Sequence, residues 1–330
     1  MSKEWLDRLQ QWAPYAVTPL IVLAALPAMG LTAWVTLTIA GLTMGMMLFL
    51  VASGLTLIFG LMEVLNFAHA AFVTVGAFVT VSVLGPLVGW TTAPSLTLNL
   101  LALLMALLAA AAASGALGFV FERIIIRQVY GAPLHQILIT IGALTVIEQL
   151  VIVIWGPDAI ALPKPATLRG SVFLGSSPIE TYRLVALFVG LAVAAAMQLI
   201  LTRTRIGLVV RAGVEDREMV QSLGYNIRRV FVGIFIAGTA LAGMGGMMWG
   251  QYQALVNYQI GDSMLILVFI ILIIGGLGSV GGCFIAAILV GLTSNYAGFL
   301  APTLALGSNI LLMALVLLWR PRGLFPIGEQ

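Results

Sequence analysis

Residues 54–72 read GLTLIFGLMEVLNFAHAAF. Gly54 and Gly60 interrupt an apolar run, and Glu63, Asn66 and His69 then set an acid, an amide and an imidazole at regular intervals. Glycine costs about 1 kcal/mol in a helix interior. At membrane depth, irregular backbone survives only where it is buried in protein or lines a wet cavity. The stretch therefore reads as a broken helix in a membrane bundle. On a continuous helix, positions 63, 66 and 69 fall within about 120° of arc. The three groups would share one face, too polar for lipid. That face would line a pathway, bond a neighbouring helix or cap the broken ends.

The rest of the chain fits a membrane setting. Of its 330 residues, 61% are hydrophobic and only 8% charged, where a soluble domain carries about 25% charge. A span needs about 20 apolar residues. Ten apolar stretches are expected as spans, at 14–31, 33–59, 67–85, 97–121, 134–154, 183–202, 230–250, 263–276, 280–300 and 304–319. The eighth is short, which suits a partial span. A net charge of +3 is too small to suggest nucleic acid. The single cysteine, Cys283, permits no intrachain disulfide and suits a small buried apolar side chain. The N-terminal MSKEWLDRLQQWAPYA lacks a small-residue cleavage site and is expected to be retained.

Basic residues set the orientation. Lys3 and Arg8 precede the first stretch, Arg123 and Arg127 follow the fourth, and Arg320 and Arg322 follow the tenth. Arg203, Arg205, Arg211, Arg217, Arg228 and Arg229 lie between the sixth and seventh. With ten spans all of these fall on one side, the cytoplasm. The opposite loops 86–96, 251–262 and 300–303 carry only Asp262. The exception is 155–183, with Lys164, Arg169 and Arg183 beside Asp158 and Glu180, where a small ordered cap with a short hairpin is expected. The expectation is an all-α integral membrane protein of about ten transmembrane helices with both termini cytoplasmic. It forms one domain over 1–330, with an outside cap at 155–183 and a cytoplasmic segment at 203–229. Glu63 would then lie near the cytoplasmic mouth.

Several chemistries are excluded. Only two lysines occur, Lys3 and Lys164, and neither sits in the Gly-x-x-x-x-Gly-Lys-Ser/Thr pattern that cradles phosphates. The chain cannot be its own ATPase. His69 and His135 are too far apart for a His-Glu-x-x-His site, and no metal cluster appears. No cofactor is expected. A stand-alone proton- or sodium-coupled transporter stays open, with Glu63 or Glu148 as its buried acid.

Two further stretches carry expectations. IGGLGSVGGCF at 274–284 is dense in glycine and reads as a second interruption, with Gly276 and Gly278 beside the path. The competing reading is close helix packing through small residues, as in Gly41-x-x-x-Gly45 and Gly246-x-x-x-Gly250. Residues 203–229, RTRIGLVVRAGVEDREMVQSLGYNIRR, form the longest hydrophilic stretch on the inside. One amphipathic helix is expected from Ile206 to Leu223, capped by Gly224. It suits docking of a soluble partner, or a surface loop held by anionic lipid.

Together these motifs resemble the LivH-type branched-chain amino acid ABC permeases. The first stretch resembles that family's signature. Thr204-x-x-Gly207-x-x-x-Arg211-Ala212, followed by Leu223-Gly224-Tyr225-Asn226, is similar to its coupling loop, and IGGLGSVGGCFIAAILVGL and the terminal RPRGLF match its pattern. The resemblance runs from about 33 to 326. It implies a permease of the bacterial inner membrane, a second related (LivM-like) permease subunit, two ABC ATPase subunits that bind the ATP, and a periplasmic binding protein. It assigns Thr204, Gly207, Arg211, Ala212, Glu215, Asp216, Leu223 and Gly224 to coupling with the ATPase. It also makes 155–183 a periplasmic contact for the binding protein. The departures are Met219-Val220-Gln221 in the coupling stretch and Ala70-Ala71 after His69. Such permeases also serve urea, short amides and aromatic acids, so the resemblance leaves the solute open.

Overall fold

The computed structural model describes residues 16–325. Lys3, Arg8, the N-terminal stretch and the start of the first expected span lie outside the described residues. Six helices are long and apolar enough to cross a membrane. They are α2 (Leu31–Met62), α5 (Leu96–Ile124), α6 (Pro133–Trp155), α7 (Thr181–Arg203), α10 (Ile227–Gln253) and α12 (Val280–Leu300). The four other expected stretches hold shorter apolar helices: α1 (Ala16–Ala28), α3 (His69–Leu84), α11 (Ile260–Gly275) and α13 (Ala305–Trp319). Short elements join them: α4 (Val88–Thr92), α8 (Arg205–Glu215), α9 (Arg217–Ser222) and four strands, β1 (Ile160–Ala161), β2 (Ser171–Leu174), β3 (Ser177–Glu180) and β4 (Leu255–Val256).

α2 is the central post. It is apolar on every side, which is the signature of a buried helix, and 78% of its most apolar window is buried against 17% for α6 and α7. Small residues let its neighbours approach. A Cβ on Gly41 would lie 2.8 Å from the Leu292 Cα, so α12 runs antiparallel to α2 at backbone contact. Gly54 meets Gly238 of α10 just as closely. The small-residue packing reading therefore holds for Gly41 and Gly45, and for Gly246, which rests on the Val73 carbonyl. Gly54 and Gly60 do not break α2; the helix runs through both to Met62. With no lipid-excluded gain between apolar helices, such backbone proximity supplies the contact energy.

Two antiparallel halves repeat. α2 ends at Glu63 (φ 51) and α10 at Ala254 (φ 56), the two non-glycine residues in the left-handed region among the described residues. After each, the chain leaves the helix for the same interval, passing through β4 in the second case, and restarts as a 16-residue helix, α3 or α11. The restart is built alike: the His69 N–H donates to the Asn66 carbonyl at 3.2 Å, and the Ile260 N–H to the Asn257 carbonyl at 3.1 Å. The same pairing carries the Gly54–Gly238 contact onto that of Gly245 with Met47, and it exchanges Ala70 with Gly261, which touch. The symmetry axis thus passes between Ala70 and Gly261, perpendicular to α2 and α10. This is an inverted repeat with a discontinuous helix in each half.

The two ends differ in charge. One gathers Leu61, loop 125–132, segment 203–229, the 276–279 turn and residues 320–325, and it carries the arginine clusters. The opposite end holds the β2–β3 hairpin, whose Ser177 hydroxyl donates to the Thr32 carbonyl at 3.2 Å. There β1 also pairs with β4. Two of the basic residues at this end share one acid, since Glu180 pairs with both Lys164 and Arg183, and the Arg169 guanidinium donates to the Lys164 carbonyl. Lys164 and Arg183 also lie over the Tyr252 ring at 5.8 and 5.5 Å.

Candidate translocation and coupling sites

Glu63, Asn66 and His69 do not share one helical face, contrary to the expectation from the sequence. The left-handed turn at Glu63 ends α2, residues 63–66 are irregular, and His69 opens α3. The three groups separate by environment. Glu63 is exposed at the end of α2, while Asn66 and His69 are fully buried. The His69 Nε2 lies 2.9 Å from the Val51 carbonyl. A carbonyl can only accept, so Nε2 carries the proton and ties the start of α3 to the middle of α2.

Buried polar atoms gather at both breaks. Neither side-chain atom of Asn66 has a protein partner, nor does Nδ1 of His69. On the last turns of α10, before the second break, the same is true of both Gln251 amide atoms and of Trp249 Nε1. Leaving such a group unpaired costs about 1–3 kcal/mol, so a packing role alone explains them poorly. Gln251 went unnoticed in the sequence because residues 251–262 read as an outside loop, and Trp249 because it falls inside the expected span 230–250. The signal was available in the match of Val64-Leu65-Asn66-Phe67 to Leu255-Val256-Asn257-Tyr258.

The glycines expected beside the path gather at the basic end. Gly276 (φ 96) and Gly278 (φ 82) form the tight turn from α11 to α12, and that turn lies at the basic end. Gly60 meets them there, since a Cβ on it would stand 2.8 Å from the Gly278 Cα. The terminal RPRGLF closes the junction. Leu324 and Phe325 donate backbone N–H groups to the Ile274 and Gly275 carbonyls at 2.8 and 3.2 Å, satisfying the open end of α11. Stretch 274–284 is thus a packed interhelical turn; the second discontinuity is at 254–259.

Segment 203–229 contains two helices where one was expected. The Thr204 hydroxyl accepts from the Gly207 N–H at 3.1 Å and caps α8. A Cβ at Gly207 would collide with the Leu201 carbonyl, so Thr-x-x-Gly is what lets α8 fold back on α7. The Asp216 carboxylate accepts from the Met219 N–H at 2.9 Å and starts α9, which breaks the helix between Glu215 and Arg217. Gly224 (φ 84) turns the chain, and the Asn226 side chain caps α10 at 3.2 Å. Val210 and Val220 are buried and Ala212 is half-buried, while Ile206, Leu208, Arg211, Met219 and Leu223 are exposed. Gly213 seats α8 on Leu61, so it bears on the last turn of α2, next to the break at Glu63.

A bundle of this kind, with discontinuous helices and a capped helix pair on its basic end, defines the class as a multi-pass membrane transport permease. Residues 37–319 match the family described as branched-chain amino acid transport system / permease component, and the chain belongs to that family. Similar proteins include the high-affinity branched-chain amino acid transport system permease protein LivH of Escherichia coli K12, 27% identical over 86% of this chain and 92% of its own. BraD of Pseudomonas aeruginosa is 28% identical over 86% and 93%. The E. coli permease protein LivM is 28% identical over 86% of this chain and 69% of its own. No solved structure matches the chain. The chain is thus a permease component of a transport system and not an enzyme.

Proposed function

We propose that the chain is one permease half of an ATP-driven ABC importer in a bacterial inner membrane, with the arginine-rich end in the cytoplasm. It pairs with a related LivM-like permease, sits on two ATPase subunits, and receives solute from a periplasmic binding protein at the hairpin end. The solute is a branched-chain or other hydrophobic amino acid, or a related small solute such as urea, an amide or an aromatic acid. The observation that carries this reading is the α8–α9 pair. Its inner face bears on α2, and its outer face offers Leu208, Arg211, Met219 and Leu223 to a partner.

ATP-driven movement of the ATPase subunits would shift α8, and Gly213 on Leu61 would pass that shift to the end of α2 and the Glu63 turn. The two discontinuous helices would then rearrange about the repeat axis, and the unpaired Asn66, His69 and Gln251 atoms would offer passing contacts to solute or water. Such groups are affordable only inside protein or a wet cavity. Arg211→Glu is expected to leave insertion and assembly intact but to uncouple ATP hydrolysis from uptake in proteoliposomes. Normal uptake by that variant would sink the coupling assignment.

One observation favours a second reading, gradient-driven transport by the chain alone. Glu148 of α6 faces Asp262 of α11, carboxyl against carboxyl, which could hold a proton or a cation. Glu63, exposed at the end of α2, is poorly placed for that role. Uptake by the isolated chain that is abolished in Glu148→Gln would favour this reading.

A further inference from the structure

At the basic end α7 and α10 diverge and leave a cavity of about 760 Å³ between them, floored by α2 at Leu57. That lies in the roughly 300–1,000 Å³ range of small-molecule sites. The walls are apolar. α10 contributes the small residues Gly233, Ala237 and Ala240, and α7 contributes Met197 and Ile200. Along α10 the groove runs from Arg229 to Met244, about 22 Å at 1.5 Å per residue. It is longer than the roughly 15 Å half-thickness of a hydrocarbon core.

Charge appears at one end only. Arg205 and Arg229 line the mouth with Tyr225, and all three are exposed there. Neither arginine has a carboxylate partner among the described residues. Guanidinium groups match phosphate oxygens in geometry and charge, and the mouth lies where the apolar spans give way to the charged segment. An apolar groove whose mouth carries two arginines without a carboxylate partner among the described residues is complementary to an amphiphile with an anionic head.

We infer that this groove is a binding site for an anionic phospholipid, its acyl chain lying between α7 and α10 and its phosphate held by Arg205 and Arg229. A second permease chain would cover apolar walls equally well, but it would need carboxylates at one depth to satisfy the arginines. The assignment rests on the groove and not on the transport reading. Bound there, the lipid would wedge apart the two helices that flank segment 203–229 and would support α8 from beneath.

Native mass spectrometry of the chain, purified in mild detergent with whatever subunits accompany it, tests the assignment. Phosphatidylglycerol and phosphatidylcholine are offered as probes. The wild type is expected to retain phosphatidylglycerol at least tenfold better than phosphatidylcholine. The double variant Arg205→Gln/Arg229→Gln should lose that preference, and Arg203→Gln, at the same end but outside the groove, should keep it. Ala237→Phe should displace the lipid with both arginines in place. Equal retention of both lipids, or undiminished phosphatidylglycerol in the double variant, overturns the proposal. So does displacement by millimolar inorganic phosphate, which would make the site one for free anion. Crosslinking of a cysteine at Gly233 to a second permease chain would also overturn it, by placing protein in the groove.

Discussion

The two side chains that matter most at the centre are Asn66 and His69, and they do different things. His69 is anchored to the Val51 carbonyl, while Asn66 is buried with both polar atoms unused. Replacing an unpaired buried amide by an apolar group of similar size removes its desolvation cost. Asn66→Leu is therefore expected to leave the thermal unfolding midpoint unchanged or raised while uptake falls severalfold. Loss of stability with normal uptake would show that Asn66 is only structural. At the basic end Gly60 has the opposite character, since its role is steric. Gly60→Val must push the Gly278 backbone away, and overpacking of this kind costs about 1–3 kcal/mol. A lowered unfolding midpoint in detergent is the expected result; an unchanged one would mean that the junction yields. The residue types at these positions were legible in the sequence, but their grouping was not. Glu63 turns in the left-handed region, which a non-glycine residue rarely adopts, and nothing in its identity announces that turn.

At the scale of elements, the apolar stretches were readable because length and hydropathy fix them, and each holds a helix close to its expected bounds. Depth was legible only for the eighth stretch, whose shortness suited a partial span; the third gave no such sign. α3 and α11, at 16 residues, are only about 24 Å long, short of a hydrocarbon core of about 30 Å. Each is half of a discontinuous unit. The first break was sought because glycines flag it. The second, at Ala254–Gln259, contains no glycine and was read as an outside loop. The split of 203–229 was legible in principle, because Asp216 is a good N-cap residue amid helix formers. The capping also gives a prediction. Thr204→Ala removes the hydroxyl that accepts from Gly207 and should cost about 1 kcal/mol. Coupling of hydrolysis to uptake should weaken, and Thr204→Ser should restore it. Equal coupling in the alanine and serine variants would show that the α8 cap has no part in transmission.

For the whole molecule, the inverted repeat and the charge asymmetry act together. The repeat brings the starts of two discontinuous helices to one axis at Ala70 and Gly261. The asymmetry sets a capped helix pair against one end of the post that carries the first break. The exposed Leu208, Arg211, Met219 and Leu223 suit the docking of a partner that the proposed importer requires. The most direct test is to express the chain with its neighbouring genes, solubilise gently, and measure which proteins elute with it and whether the preparation hydrolyses ATP. Co-elution of an ATPase subunit and a second permease, with ATP hydrolysis, is the predicted result. A chain that purifies alone from cells containing those partners, and drives uptake from an ion gradient, would contradict the account and turn attention to Glu148 and Asp262.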